Sequence, residues 1–186
     1  MPTTPRFSIN DLSKIAVFAA IIAVLGLPGA INLADGVPIT AQTLGVMLAG
    51  AVLGKWRGAA AVVLFELQVA IGFPLLSGGR GGLSVFVGPS VGFLIGWIFG
   101  AFVIGLIAHR ANTQPKLASL VTGLLVGGIG VVYLFGAPVL AAITGMDLGA
   151  AIVASAVYLP GDLIKVAIAT AIVIGLWRAY PKAFKN

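Results

Sequence analysis

Apolar residues in this chain do not alternate with polar ones. They run together in long blocks, separated by short stretches of glycine, proline and charge. Six blocks stand out, at 13–33, 38–54, 58–76, 85–109, 117–143 and 149–178. A helix needs about 20 apolar residues to cross a hydrocarbon core about 30 Å thick. The pattern therefore predicts an all-α integral membrane protein, one domain over 1–186, with six transmembrane helices. The second block is short. The last is long for one span and contains Pro160-Gly161. A break is expected there, because proline removes a helix hydrogen bond and clashes with the preceding turn.

Composition agrees with lipid as the main solvent. The chain is 60% hydrophobic and only 9% charged, with a mean hydropathy of +1.13. A water-soluble domain carries about a quarter charged residues. There is no cysteine, so disulfides, thiolate metal sites and thiol nucleophiles are excluded. His109 is the single histidine, which leaves little room for a metal site, and none is expected.

The net charge of +6 is dispersed and forms no run, so it reads as topology and not as nucleic-acid binding. Arg6 and Lys14 precede the first block, Lys55 and Arg57 follow the second, Arg110 and Lys116 follow the fourth, and Arg178, Lys182 and Lys185 follow the sixth. With both termini cytoplasmic, all of these fall on one side, as the positive-inside rule requires. The polar start MPTTPRFSINDLSK is not followed by a small-residue cleavage site, so a retained first span is expected.

The remaining ionisable residues carry the functional signal. Glu66, Asp162 and Lys165 lie inside apolar blocks, and Arg80 lies in the outward loop SGGRGG. Such groups are costly in lipid and mark a site facing the protein interior. Asp162 and Lys165 are three apart and share a helical face. Counting back from Arg178, Asp162 sits about 24 Å from the inner end, in the outer half of the membrane. The competing reading is an ion pair that only fixes packing, a poor source of stability once both charges are desolvated. Around Arg80, glycines including Gly78 and Gly79 suit a loop whose backbone approaches a ligand, and the guanidinium suits a carboxylate. A solvated arginine in an exposed loop is the plainer alternative. Glu66 is a lone carboxylate open to three readings: protonated, paired with Lys165, or touching a ligand. Gln68 points elsewhere on the same helix.

Small residues recur four apart: Gly50 and Gly54, then Gly92, Gly96 and Gly100, then Gly123 and Gly127. These are expected to be internal contacts, since small residues let helices approach closely in lipid. In the first block Ala16 and Ala20, and again Ala19 and Ala23, show the same spacing. There internal packing and docking of another protein stand level. GPSVG, Gly88 to Gly92, matches a hydrolase nucleophile motif, but His109 is about 28 Å from Ser90 at helical rise, so no catalytic pair is expected.

The segments VPITAQTLGVMLAGAVLGKWRGA, SGGRGG with GPSVGFLIGW, and LPGDLIK together resemble the biotin transporter family BioY. The likeness covers the chain from Lys14 to Leu176. It implies a substrate-binding S component of an energy-coupling factor transporter in the bacterial cytoplasmic membrane. It implies six helices and an outward biotin site capped by the loop between the third and fourth spans. The partners implied are a transmembrane coupling protein and two cytoplasmic ATPase subunits, which use the ATP; no cofactor is implied in this chain. Asp162 and Lys165 would contact biotin, as would Arg80, and Ala16 and Ala20 would form the docking strip. The residues suit that ligand: Asp162 and Lys165 offer an acceptor and a donor to a cyclic urea, Arg80 a cation to a carboxylate, and Tyr158 is a candidate lining residue.

Two other classes remain at this level. A proton-coupled secondary transporter of a small carboxylate would use Glu66 and Asp162 as carriers. An intramembrane enzyme is disfavoured, since no nucleophile and base can be assembled.

Overall fold

Ser8 opens the first helix with its own side chain. Its hydroxyl accepts the backbone N–H of Asp11 at 3.2 Å, and the Asp11 carboxylate accepts the Ser8 N–H at 2.9 Å. This pair satisfies two N–H groups that a helix start leaves without partners. The computed structural model describes residues 8–29, 40–109 and 116–184. In it, α1 runs Ile9–Val24, α2 Gln42–Leu53 and α3 Lys55–Ala70. Only Gly54 separates α2 from α3, with φ at 78°, a left-handed angle that glycine adopts without a steric penalty. A 3-10 turn, Leu83–Phe86, leads into α4, Val91–Ala108. Next come α5, Leu117–Leu125, a π-helical segment, Val126–Val131, and α6, Val132–Thr144. Asp147 caps α7, Leu148–Ala156, by accepting the Gly149 N–H at 2.8 Å. α8, Leu159–Ala179, and a 3-10 turn, Pro181–Phe184, follow.

Among the described residues, three helices are long and apolar enough to cross a membrane: Val91–Ala108, the continuous Leu117–Thr144, and Leu159–Ala179. α2 is a shorter apolar helix, and α1 and α3 have 16 residues each. α3 and α4 stop short of the third and fourth apolar blocks, because residues 71–76 and 85–90 build loop and turn. Arg6, Asp35, Arg110, Lys185 and the facing ends of the first two blocks lie outside the described residues.

The break in the sixth block falls at Val157 and Tyr158, ahead of the expected Pro160-Gly161. Pro160 is the second residue of α8. At that position its missing N–H would have no helical partner anyway, while its ring stops α7 from running through.

α2 is the centre of the bundle. Gly45 to Leu53 are all buried, and the helix packs against α1, α3, α4 and α8. Glycines let the backbones meet. A β-carbon on Gly50 would lie 2.5 Å from the Ala101 carbonyl oxygen, and one on Gly100 would lie 2.7 Å from that of Gly127. The recurring glycines of α2, α4 and α5 are therefore internal contacts.

The π segment has a related cause. Buried Leu120, Leu124, Gly128, Val132, Gly136 and Leu140 recur every fourth residue. In an unbroken α-helix such a stripe drifts about 40° per step, enough to rotate Leu140 away from the core. The wider turn takes back about half of that rotation and so helps to keep the stripe inward.

At the end carrying Lys14, Lys55 and Arg57, Asp11 pairs with Arg57 at 2.8 Å. His109 Nε2 lies 3.1 Å from the carbonyls of both Ala51 and Val52, and buried Phe184 packs on Trp177. At the opposite end, Gln42 ties three segments together. Its amide Nε2 donates to Ile22 O at 3.2 Å and Leu75 O at 3.1 Å, and its Oε1 accepts the Ser77 N–H at 3.1 Å. The Ser77 hydroxyl donates to the carbonyls of Gly26 and Gly29. One 1%-exposed side chain thus fixes the end of α1, the start of α2 and the loop that carries Arg80.

Two expectations follow. Gly50→Ala should destabilise the protein by about 1–3 kcal/mol through overpacking. Gly175→Ala, where an added β-carbon meets nothing within 4 Å, should be neutral or stabilising by about 0.5–1 kcal/mol. Thermal unfolding in detergent compares them, and equal effects would discredit the packing account. Gln42→Leu should leave buried partners unsatisfied, at about 1–3 kcal/mol per group. Amide exchange across residues 75–80 should then accelerate while that of α4 stays slow. Unchanged exchange in the loop would show that Gln42 does not hold it.

Candidate functional site

Asp162 lies in the first turn of α8, and Lys165 follows one turn later. The Lys165 ammonium donates to Asp162 Oδ1 at 2.9 Å and to the Thr43 hydroxyl, at the start of α2, at 2.8 Å. The other carboxylate oxygen, Oδ2, accepts the Tyr133 hydroxyl at 2.7 Å. Asp162 is 4% exposed, so it depends on these donors in place of water. Tyr133 reaches it from α6, just past the π segment.

These four residues form one side of a cavity of about 610 Å³, counting its open mouth. Its walls are mostly apolar. Phe93 and Trp97 come from successive turns of α4, and Leu76 and Leu94 complete the side toward the loop. Phe93 meets Tyr133 and Tyr158 edge to face, with ring centroids 6.2 and 6.0 Å apart. Such arrangements hold aromatic rings at fixed angles.

Arg80 lines the same cavity. Its backbone pairs with Leu76 in both directions, at 3.0 and 3.2 Å, and its Nε donates to Ser77 O at 3.4 Å. Gly78 and Gly79 both have positive φ, 80° and 70°, and turn the chain so that Arg80 comes back over the mouth. The site therefore has an ionic, hydrogen-bonding floor, an aromatic middle and a cation at the loop. It suits a ligand with a compact polar head, an apolar body and an anionic end.

Asp162, Lys165, Arg80 and Tyr158, expected from the sequence, all line this cavity. Gly78 and Gly79 do not; they are exposed and shape the turn. Glu66 is buried in α3, but it is not among the lining residues, and Lys165 is engaged with Asp162 and Thr43 instead. A shared site for Glu66 and Asp162 is therefore not formed, which removes the geometric ground for a two-carboxylate proton carrier. Ser90 lines the cavity, whereas His109 caps the far end of α4, so the hydrolase motif has no base. Among the described residues no cluster of acidic or histidine side chains could hold a metal.

The sequence reading missed Tyr133, Thr43 and Gln42. Thr43 and Gln42 sit in the quoted segment VPITAQT, a polar cluster at the edge of an apolar block, which was a usable signal. Tyr133 lies within an apolar run, and only the fold brings it to Asp162.

Comparison with known proteins identifies the family. The model of the BioY family matches residues 1–182. The biotin transporter BioY of Rhizobium etli is 48% identical over 180 residues, covering 94% of this chain and 96% of its own. That of Rhodobacter capsulatus is 48% identical over 168 residues, covering 86% and 88%. A crystal structure of the S-component for biotin from an ECF-type ABC transporter superposes with a TM-score of 0.87 at 31% identity, covering 97% of this chain and all of that one. The helical frame is thus shared with that structure, and this chain belongs to the BioY family.

Proposed function

We propose that this chain is the biotin-binding subunit of an energy-coupling factor transporter and takes part in biotin uptake. The observation that carries the reading is the convergence of Asp162, Lys165 and Arg80 on one largely apolar cavity. Biotin has a cyclic urea at one end and a carboxylate at the other. Asp162 accepts from a urea N–H, Lys165 donates to the urea carbonyl, and Arg80 pairs with the carboxylate at the mouth. Tyr158 and Phe93 form an aromatic wall against the ring system. The chain binds and delivers; it is a transport subunit and not an enzyme.

The chain is a multi-pass membrane protein, and in this reading it resides in the bacterial cytoplasmic membrane. Six passes follow if α7 and α8 together make the last, with both termini in the cytoplasm. The basic residues Lys14, Lys55, Arg57, Lys116, Arg178 and Lys182 then share the inner side. Energy comes from two cytoplasmic ATPase subunits through a transmembrane coupling protein, with no cofactor in this chain. Ala16 and Ala20 are exposed on α1 while Ala19 between them is buried, which supports docking on that strip.

Titration of the purified protein with biotin tests the assignment, and a folded preparation without binding would refute it. The two ends of the ligand separate by variant. Asp162→Asn should weaken biotin and biotin amide alike, by about ten-fold or more, since a contact to a charged group contributes about 1.5–3 kcal/mol. Arg80→Ala should weaken biotin similarly and scarcely change the amide. Equal losses for both ligands in Arg80→Ala would sink the carboxylate pairing.

Partner docking has its own test. Ala16→Trp or Ala20→Trp should retain biotin binding yet lose co-purification with the coupling module and ATP-dependent uptake, because close helix approach depends on small residues. Normal assembly in both variants would place the partner elsewhere.

A further inference from the structure

The hydrogen bonds around Asp162 also fix what the cavity offers a ligand. Tyr133 has a single hydroxyl proton, and it is given to Asp162 Oδ2 at 2.7 Å. A phenol oxygen has two lone pairs besides its proton, so Tyr133 can meet a ligand only as an acceptor. Lys165 has three N–H groups. One goes to Asp162 and one to Thr43, at 2.9 and 2.8 Å, which leaves one donor. Asp162, with each oxygen already holding one donor, keeps acceptor capacity on both. Tyr133, Asp162 and Lys165 all line the cavity. These three residues therefore present two separate acceptor groups and one donor, beside the Thr43 hydroxyl, whose oxygen holds the ammonium.

A cyclic urea is the complement of this set, with two N–H donors flanking one carbonyl. We propose that Tyr133 is a specificity-determining residue, whose hydroxyl oxygen accepts the second ring N–H while Asp162 accepts the first and Lys165 serves the carbonyl. The Tyr133–Asp162 hydrogen bond enforces this division, since it commits the only proton that would let Tyr133 act as a donor. The inference rests on the biotin reading above and extends it from the charged residues to a neutral one. It assigns the selection of a ring with two N–H groups to Tyr133 and Asp162 jointly. A ring with one N–H leaves a buried acceptor unmet, and sites built to hydrogen-bond a group reject analogues that lack it.

The experiment uses biotin and the two cyclic carbamates in which one or the other ring N–H is replaced by oxygen. Each is titrated into the wild-type chain and into Tyr133→Phe. In the wild type both carbamates should bind about ten-fold or more weakly than biotin. In Tyr133→Phe, biotin should weaken about ten-fold, and the preference over one carbamate should vanish while the preference over the other persists. A wild type that binds either carbamate as tightly as biotin overturns the proposal without any variant, because the floor then uses a single acceptor. Equal weakening of all three ligands in Tyr133→Phe also overturns it and makes Tyr133 a packing residue. A wild type that fails to bind biotin at all refutes the biotin reading itself, and the assignment of Tyr133 falls with it.

Discussion

A carboxylate held away from water has to be satisfied by protein, and Asp162 is such a group, 4% exposed at the start of an apolar helix. Lys165 alone does not meet the need, because an ammonium on one oxygen leaves the other bare. Tyr133 supplies the second donor from α6, and Thr43 holds the ammonium from α2. Three helices are thereby fixed relative to one another at the floor of the cavity. A buried ion pair contributes little net stability, so the arrangement is better understood as a preorganised binding surface than as a structural clamp.

That surface depends on how closely the helices pack behind it. Lipid gives no hydrophobic drive for helix association, so the glycine contacts of α2, α4 and α5 carry the load. The π turn belongs to the same logic. By helping to keep a four-residue stripe inward through Leu140, it helps to set the rotation of α6 on which Tyr133 sits. The position of the hydroxyl at Asp162 is thus set partly by a backbone adjustment in the turn just before it.

The mouth is built differently. Its loop buries Leu76 and Val85, and polar contacts tie it further: Gln42 to Leu75 and Ser77, and Ser77 to the end of α1. Arg80 rides on this frame. A rigid floor and a loop tied at a few points suit a site that must admit and then retain a small molecule.

The apolar blocks, the basic residues at their ends and the in-membrane charges were legible in the chain itself, because lipid imposes a composition on whatever it surrounds. Asp162 with Lys165 was legible too, since helical spacing alone puts residues three apart on one face. The glycine rows were readable as contacts for the same reason. The helix ends were less so. Hydropathy does not distinguish a helix from the apolar loop that continues it, and Pro160 marked the last break two residues late because proline is tolerated inside a first turn. Glu66 was legible as a buried charge, but whether such a residue lines the cavity depends on how α3 packs, and it is not among the lining residues. Tyr133 was out of reach for a similar reason, and the polar segment that holds Gln42 did not name its partners. Their roles rest on contacts across 29 and 35 residues of chain, and no local pattern encodes a pairing that exists only once the helices have been brought together and rotated into register.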